Sequence, residues 1–151
     1  MAKIKVDGFD NFEKQLDQSI SEIHNINKMG LYVGAKVIAD EVNKMIDTIP
    51  NNCLLNEQEK DDLHNGLTIS RHMDTDDGVE TYISFAGYNQ WTDGPSAPTG
   101  DPIILIARSI SKGSSMRRGK YKFMDKSRNN KKKVAEDAIK TKIEDEITKL
   151  Q

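Results

Sequence analysis

From Asp10 to about Thr48 the chain holds no proline. Apolar residues recur there mostly in steps of three and four: Phe12, Leu16, Ile20, Ile23 and Ile26, then Val33, Val37, Ile38, Val42, Met45 and Ile46. A helix turns once every 3.6 residues, so these positions share one stripe of an α-helix. Glu13, Lys14, Asp17, Glu22, Lys36, Asp40, Glu41 and Lys44 fill the opposite, wet face. Such a helix would be more than about 50 Å long, wider than a domain of this size. A break or bend is therefore expected at Met29-Gly30 or Gly34, with two helices packed at an angle as the alternative. In either form the stripe needs a partner surface.

Upstream, Lys3–Val6 alternates as a short strand or arm and Asp7-Gly8 turns it. Asp10 with Glu13 has the spacing of a capping box. Ile49-Pro50 ends the helix, because proline disfavours helix in the residue before it. Asn56 with Glu59 caps a short acidic helix that runs to about His64 and closes at Asn65-Gly66. Leu67, Ile69 and Arg71–Met73 read as a strand, Asp74 to Gly78 as a turn, and Val79 to Ala86 as a half-buried strand. The resulting hairpin offers its apolar face to the long helix.

Gly87 to Pro102 is loop by composition. Ile103–Ile106 reads as a buried strand or the first turn of a helix, and Ser109–Ser115 as flexible. Lys120–Met124 is a further candidate strand. A closing helix from about Asn129 to Leu150 carries Val134, Ala135, Ala138, Ile139, Ile143, Ile147 and Leu150 on its apolar side. The parts add up to a single α+β domain over residues 1–151. A long N-terminal helix and a C-terminal helix pack on a small antiparallel sheet, with a long basic loop whose flexible part spans about 92–122.

Charge changes this picture more than composition does. The 151 residues carry a net charge of −2, yet Arg108 to Lys133 holds eleven basic residues against Asp125 alone. They are Arg108, Lys112, Arg117, Arg118, Lys120, Lys122, Lys126, Arg128, Lys131, Lys132 and Lys133. That strip is +10, which leaves −12 on the remainder. Arg117-Arg118 and Lys131–Lys133 could neutralise phosphates, with Tyr121 and Phe123 stacking on bases. Contact with an acidic protein surface is favoured, because an acidic body repels a polyanion and attracts a basic loop. Trp91, at the start of the Pro/Gly loop, is a candidate interface anchor.

Catalytic chemistry is hard to assemble from these residues. His24, His64 and His72 share no motif, and the acids from Glu57 to Asp62 read as a solvated helix face. Asp74, Asp76 and Asp77 with Gly78 lack the spacing and the closing glutamate of a calcium loop. No Gly-x-x-x-x-Gly-Lys-Ser/Thr occurs. Cys53 has no cationic neighbour in sequence and reads as a small buried hydrophobe in a protein of a reducing compartment. No apolar run is long enough for a signal peptide or a membrane span. The chain is read as neither an enzyme nor a cofactor or metal binder.

The order of parts resembles a known family. Ile4-Lys5-Val6-Asp7-Gly8-Phe9-Asp10-Asn11-Phe12-Glu13-Lys14-Gln15-Leu16 is similar to the opening of the tail-completion, or head–tail joining, proteins of long-tailed bacteriophages. Gly34-Ala35-Lys36-Val37-Ile38-Ala39-Asp40-Glu41-Val42 matches the second half of their first helix, and Ile49-Pro50 its end. Tyr88 to Gly94 and Lys122-Phe123-Met124 stand where that family has an aromatic–glycine loop and an aromatic before the closing helix. The usual Pro-x-x-Thr-Gly after the first helix is replaced by Asn51 to Gly66, and Glu-x-Gly-Thr after the hairpin by Trp91-Thr92-Asp93-Gly94. The resemblance implies a structural virion protein of the neck, made in the host bacterial cytoplasm. It implies a ring, commonly of six copies, between the tail tube or tail terminator and the head connector. DNA passes through the channel of such a ring, so some basic residues could line it. A small nucleic-acid-binding module using the strip 108–133 is the alternative.

Overall fold

The computed structural model describes residues 9–89 and 100–151, with residues 9 and 10 as helix backbone only. The expected arm at Lys3–Val6, the Asp7-Gly8 turn, the capping side chain of Asp10, Trp91 and the start of the Pro/Gly loop lie outside those described residues.

Helix α1 spans Phe9–Asp47, 39 residues without interruption, which makes it about 58 Å long. It runs straight through Met29-Gly30 and Gly34 as helix, so neither the expected break nor the alternative pair of helices occurs. The glycines serve a contact instead. A Cβ on Gly30 would lie 2.8 Å from Cγ1 of Ile143, and one on Gly34 would collide with the Ile139 side chain. Both isoleucines sit on helix α4, Phe123–Lys149. As α1 numbering falls from 34 to 30, its neighbours on α4 rise from 139 to 143, so the two helices are antiparallel. Glycine four residues apart lets the backbones approach closely enough to seat two isoleucines between them.

Past Asp47 the Thr48 hydroxyl donates to the Met45 carbonyl at 2.8 Å, and Pro50 prevents another turn. A 3-10 turn, Asn51–Cys53, leads to helix α2, Gln58–Gly66. Asn56 Oδ1 accepts from the Glu59 backbone N–H at 3.1 Å while Glu59 Oε2 accepts from the Leu55 N–H at 2.9 Å. The reciprocal cap expected from the Asn56/Glu59 spacing is present, with the return bond one residue earlier than usual. His64 then fixes α2 to α1, its ring nitrogens 2.7 Å from Asn43 Oδ1 and 2.8 Å from Asp47 Oδ1.

The hairpin is longer and less regular than its sequence suggests. Strand β1, Leu67–Ile69, pairs antiparallel with β4, Ile83–Phe85, and β2, Met73–Thr75, pairs with β3, Gly78–Glu80. Leu67 faces Phe85 and Ile69 faces Ile83, but Met73 faces Glu80, so the first arm carries one residue more than the second across the gap. This is a bulge. Ser70 spans it, donating its N–H to the Tyr82 carbonyl at 2.7 Å and accepting the Tyr82 N–H on Oγ at 2.8 Å. Only Asp76-Asp77 remains as the turn, because Asp74 and Thr75 belong to β2.

Ile103–Lys112 forms helix α3. Of the two readings for Ile103–Ile106 the helical one holds. Ser109 to Lys112, expected to be flexible, continues that helix, because Ile103, Ile106, Ala107 and Ile110 make a buried face at helical spacing. Lys120–Met124 is not a strand. The Tyr121 N–H donates to the Ile110 carbonyl, and α4 begins at Phe123, six residues before the expected start.

The core joins Val42, Ile46 and Ile49 to Leu63, Phe85, Ile106, Ile110 and Phe123. Full burial of such side chains contributes about 1.5–3 kcal/mol each. Helices packed on small antiparallel hairpin ladders make this an α+β fold. Among the described residues, no helix is long and apolar enough to cross a membrane.

Candidate interaction surfaces

The basic strip is divided by the fold rather than presented as one surface. Arg117 lies inside. Its Nη1 and Nη2 donate to the two carboxylate oxygens of Glu59 at 2.6 and 2.7 Å, and both side chains are only 3% exposed. Nη1 also reaches the Cys53 carbonyl at 2.9 Å, and Nε the Ser109 hydroxyl at 2.8 Å. One guanidinium thus joins the 3-10 turn, α2, α3 and the segment before α4. A fork-shaped cation held by both oxygens of one carboxylate is the strong form of such a pair. Arg117 is therefore corrected from interface residue to internal clamp. The acidic stretch 57–62 is corrected with it, because Glu59 and Asp62 are buried. Burial raises the Asp62 carboxyl above its ordinary pKa, opposed by a hydrogen bond from Gln58 and aided by Glu59 and Asp61.

The other basic residues divide among three elements. Arg108 and Lys112 sit on the exposed face of α3, and Arg118, Lys120 and Lys122 on the segment that follows. Lys126, Arg128, Lys131, Lys132 and Lys133 occupy the first turns of α4, Lys131 half-buried and the rest exposed. Lys126 Nζ stands 3.9 Å from the centre of the Tyr121 ring, a cation–π contact. Phe123 cannot stack on a base, because it is fully buried against Phe85 with ring centres 6.0 Å apart. Tyr121 is half-buried, and its hydroxyl is 3.1 Å from the Thr48 hydroxyl.

Sequence reasoning underrated a second surface. Every residue from 11 to 20 of α1 is exposed, including Phe12 (58%), Leu16 (49%) and Ile20 (57%), and Ile23 follows at 55%. At the facing end of α4, Ile147 and Leu150 are also exposed. The helical period finds these residues but does not say that they stay exposed to this degree. Farther along α1, His24 and Lys28 hold Asp74 of β2 at 2.8 and 3.3 Å. The hydrogen bonds from His24, first, and from Lys28 keep the Asp74 carboxyl below its ordinary pKa.

Between α1 and α4 runs a groove of about 550 Å³. Gly34, Ala35 and Ile38 of α1, Arg128, Lys132, Glu136 and Ile139 of α4, and Thr81 and Ile83 of the hairpin arm line it.

The three histidines stay apart, with His72 meeting Tyr32 edge-on at 6.5 Å. Cys53 is buried in the core, as its apolar neighbours suggest. Among the described residues, no group of three or more His, Cys, Asp or Glu is placed to hold a metal ion. Set against protein-family models, curated proteins and solved structures, the chain matches none of them.

Proposed function

We propose that the protein is a structural subunit of a bacteriophage neck. In this role it is a tail-completion or head–tail joining protein that forms a ring between the tail tube and the head connector. The order of elements along the chain supports the reading, and one observation carries it. The first half of a long helix exposes the apolar side chains of Leu16, Ile20 and Ile23 beside Glu13 and Asp17, while α4 begins with a basic band. Unlike patches on one subunit are what a heterologous ring requires.

The test is the mass of the full chain by light scattering, alone, with duplex DNA and with tail-tube protein. A ring, or a monomer indifferent to DNA that assembles on tail-tube protein, supports the joining role. The exposed basic start of α4 favours a second reading as a nucleic-acid-binding module. A stable monomer that binds duplex DNA at low salt and releases it at high salt would establish that reading instead.

A further inference from the structure

The ladder of β1 and β4 has two strands, so each keeps one unpaired edge. On β1 the pairing decides which groups face that edge. The Ala86 N–H donates to the Gly66 carbonyl at 2.8 Å, and the Ser70 N–H to the Tyr82 carbonyl at 2.7 Å. Hydrogen-bonded residues alternate along an antiparallel pair, so Gly66, Thr68 and Ser70 point at β4 while Leu67 and Ile69 point away from it. The Leu67 N–H is taken by the Leu63 carbonyl at the end of α2. The Leu67 carbonyl and both backbone groups of Ile69 have no hydrogen-bond partner among the described residues. They border a groove of about 440 Å³ whose other wall is α1 from Tyr32 to Asn43. Leu67, Thr68 and Ile69 all line it, although successive side chains of a strand point to opposite faces. The groove therefore runs along the edge of β1 and not over one of its faces.

We propose that this edge takes a third strand, and that the strand is the Lys3–Val6 arm of a second copy. Lys3-Ile4-Lys5-Val6 alternates, with Ile4 and Val6 on one face and Lys3 and Lys5 on the other, the pattern of a strand covered on one side. Main-chain hydrogen bonds to an unpaired edge are how an extended segment joins a sheet. A ladder of two three-residue strands is marginal alone and gains from a third. The occupant has to come from another molecule. Lys3 stands six residues before Phe9 and so within about 22 Å of it. From Phe9, α1 rises about 35 Å before it reaches Tyr32, at the near end of the groove. Each copy carries one arm and one β1 edge, so the contact is head-to-tail and repeats from copy to copy, closing into a ring when the rotation permits. This deepens the neck reading and rests on it only for closure into a ring.

The experiment is sedimentation velocity on the full chain across a range of concentrations, with amide exchange at Ile69 followed by NMR on the same samples. Wild type is expected to self-associate, and exchange at Ile69 to slow at least about tenfold as it does. Ile4→Pro with Val6→Pro removes donors from the arm and bars it from a ladder. Loss of two or three edge hydrogen bonds should weaken association at least about tenfold and leave Ile69 exchanging at its dilute rate. Ile69→Pro removes the free N–H from the receiving edge and should weaken association likewise, with circular dichroism to show that it folds. Mixing the two variants should give a one-to-one pair and nothing larger, because one keeps the edge and the other keeps the arm. If Ile69→Pro does not fold, exchange at Ile69 in wild type and in the arm variant decides alone.

Association that leaves exchange at Ile69 unchanged, or that survives in the arm variant, would overturn the proposal. Slowing at Ile69 only when tail-tube protein is added, equally in wild type and arm variant, would make the added strand a tail-tube segment and overturn the second copy as its source. A wild type that stays monomeric up to about 1 mM but still joins tail-tube protein would overturn this contact and leave the neck reading standing. A monomer that ignores tail-tube protein as well would remove both.

Discussion

The two halves of α1 are written in the same apolar period and meet opposite fates. In the second half, Val42 and Ile46 have no exposed surface and pack with Leu63, Phe85 and Phe123. In the first half, Phe12, Leu16, Ile20 and Ile23 are each about half exposed or more. What separates them is the reach of the neighbours. α4 runs antiparallel to α1 and ends at Lys149, and Asp74 of the hairpin is held by His24 and Lys28 of α1. An amphipathic pattern states that a face wants cover; only the rest of the fold decides whether it gets any. Arg117 and Arg118 repeat the contrast at the scale of adjacent residues, one clamped inside on Glu59 and the other exposed.

The largest predicted effect lies in that adjacent pair. Arg117→Ala leaves Glu59 as an unpaired buried carboxylate and should cost about 3–5 kcal/mol. Arg118→Ala should stay within about 0.5 kcal/mol. Chemical denaturation of both variants measures the difference, and equal losses would mean the clamp is not closed in solution. Ile46→Ala, in the covered half of α1, should follow at about 2–5 kcal/mol. Gly34→Val should come next, at about 1–3 kcal/mol, because its side chain would push Ile139 away and part the two helices. Leu16→Ala should change monomer stability by no more than about 0.5 kcal/mol. A loss at Leu16 comparable to that at Ile46 would show that the first half is covered within the monomer.

A pH effect sharpens the buried side of the comparison. The Asp62 carboxyl is raised in the folded state, chiefly by burial. The stability it contributes is fully present below its unfolded pKa and lost as pH rises through the folded value. Above that range the ionised, desolvated carboxylate is a cost. Asp62→Asn should therefore raise Tm relative to wild type at pH 7 and lose that advantage near pH 3.5. Thermal melts at the two pH values give the comparison, and an equal shift at both would rule out titration of Asp62 as the cause.

Much of the fold was legible because it rests on local rules. The 3.6 period located α1, proline ended it, the Asn56/Glu59 spacing marked α2, and alternation marked the hairpin. The misreadings have a common source, since each depended on a contact far along the chain. Gly30 and Gly34 look like helix breakers until Ile143 and Ile139 are placed on them. Arg117 looks solvated until Glu59, 58 residues away, is beside it. The bulge at Ser70 follows from one extra residue in one arm, and nothing in β1 or β4 alone records it. Ser109–Lys112 looked flexible by composition, although Ile106 and Ile110 continue a helical face through it. For the interaction surfaces, the sequence supplied the residue types, and the fold removed Arg117 and Phe123 while leaving Leu16, Ile20 and Ile23 of α1 about half exposed.

Hydrogen exchange on the full chain, dilute and then assembled with itself or with tail-tube protein, tests the contrast most directly. In the dilute protein, backbone amides of residues 35–46 should be strongly protected and those of 11–22 should exchange quickly, since residues 11–20 are all exposed. On assembly the slow region should be unchanged and protection of 11–22 should rise at least about tenfold. Strong protection of 11–22 in the dilute monomer, or none gained on assembly, would contradict the account of this half-helix as the assembly surface.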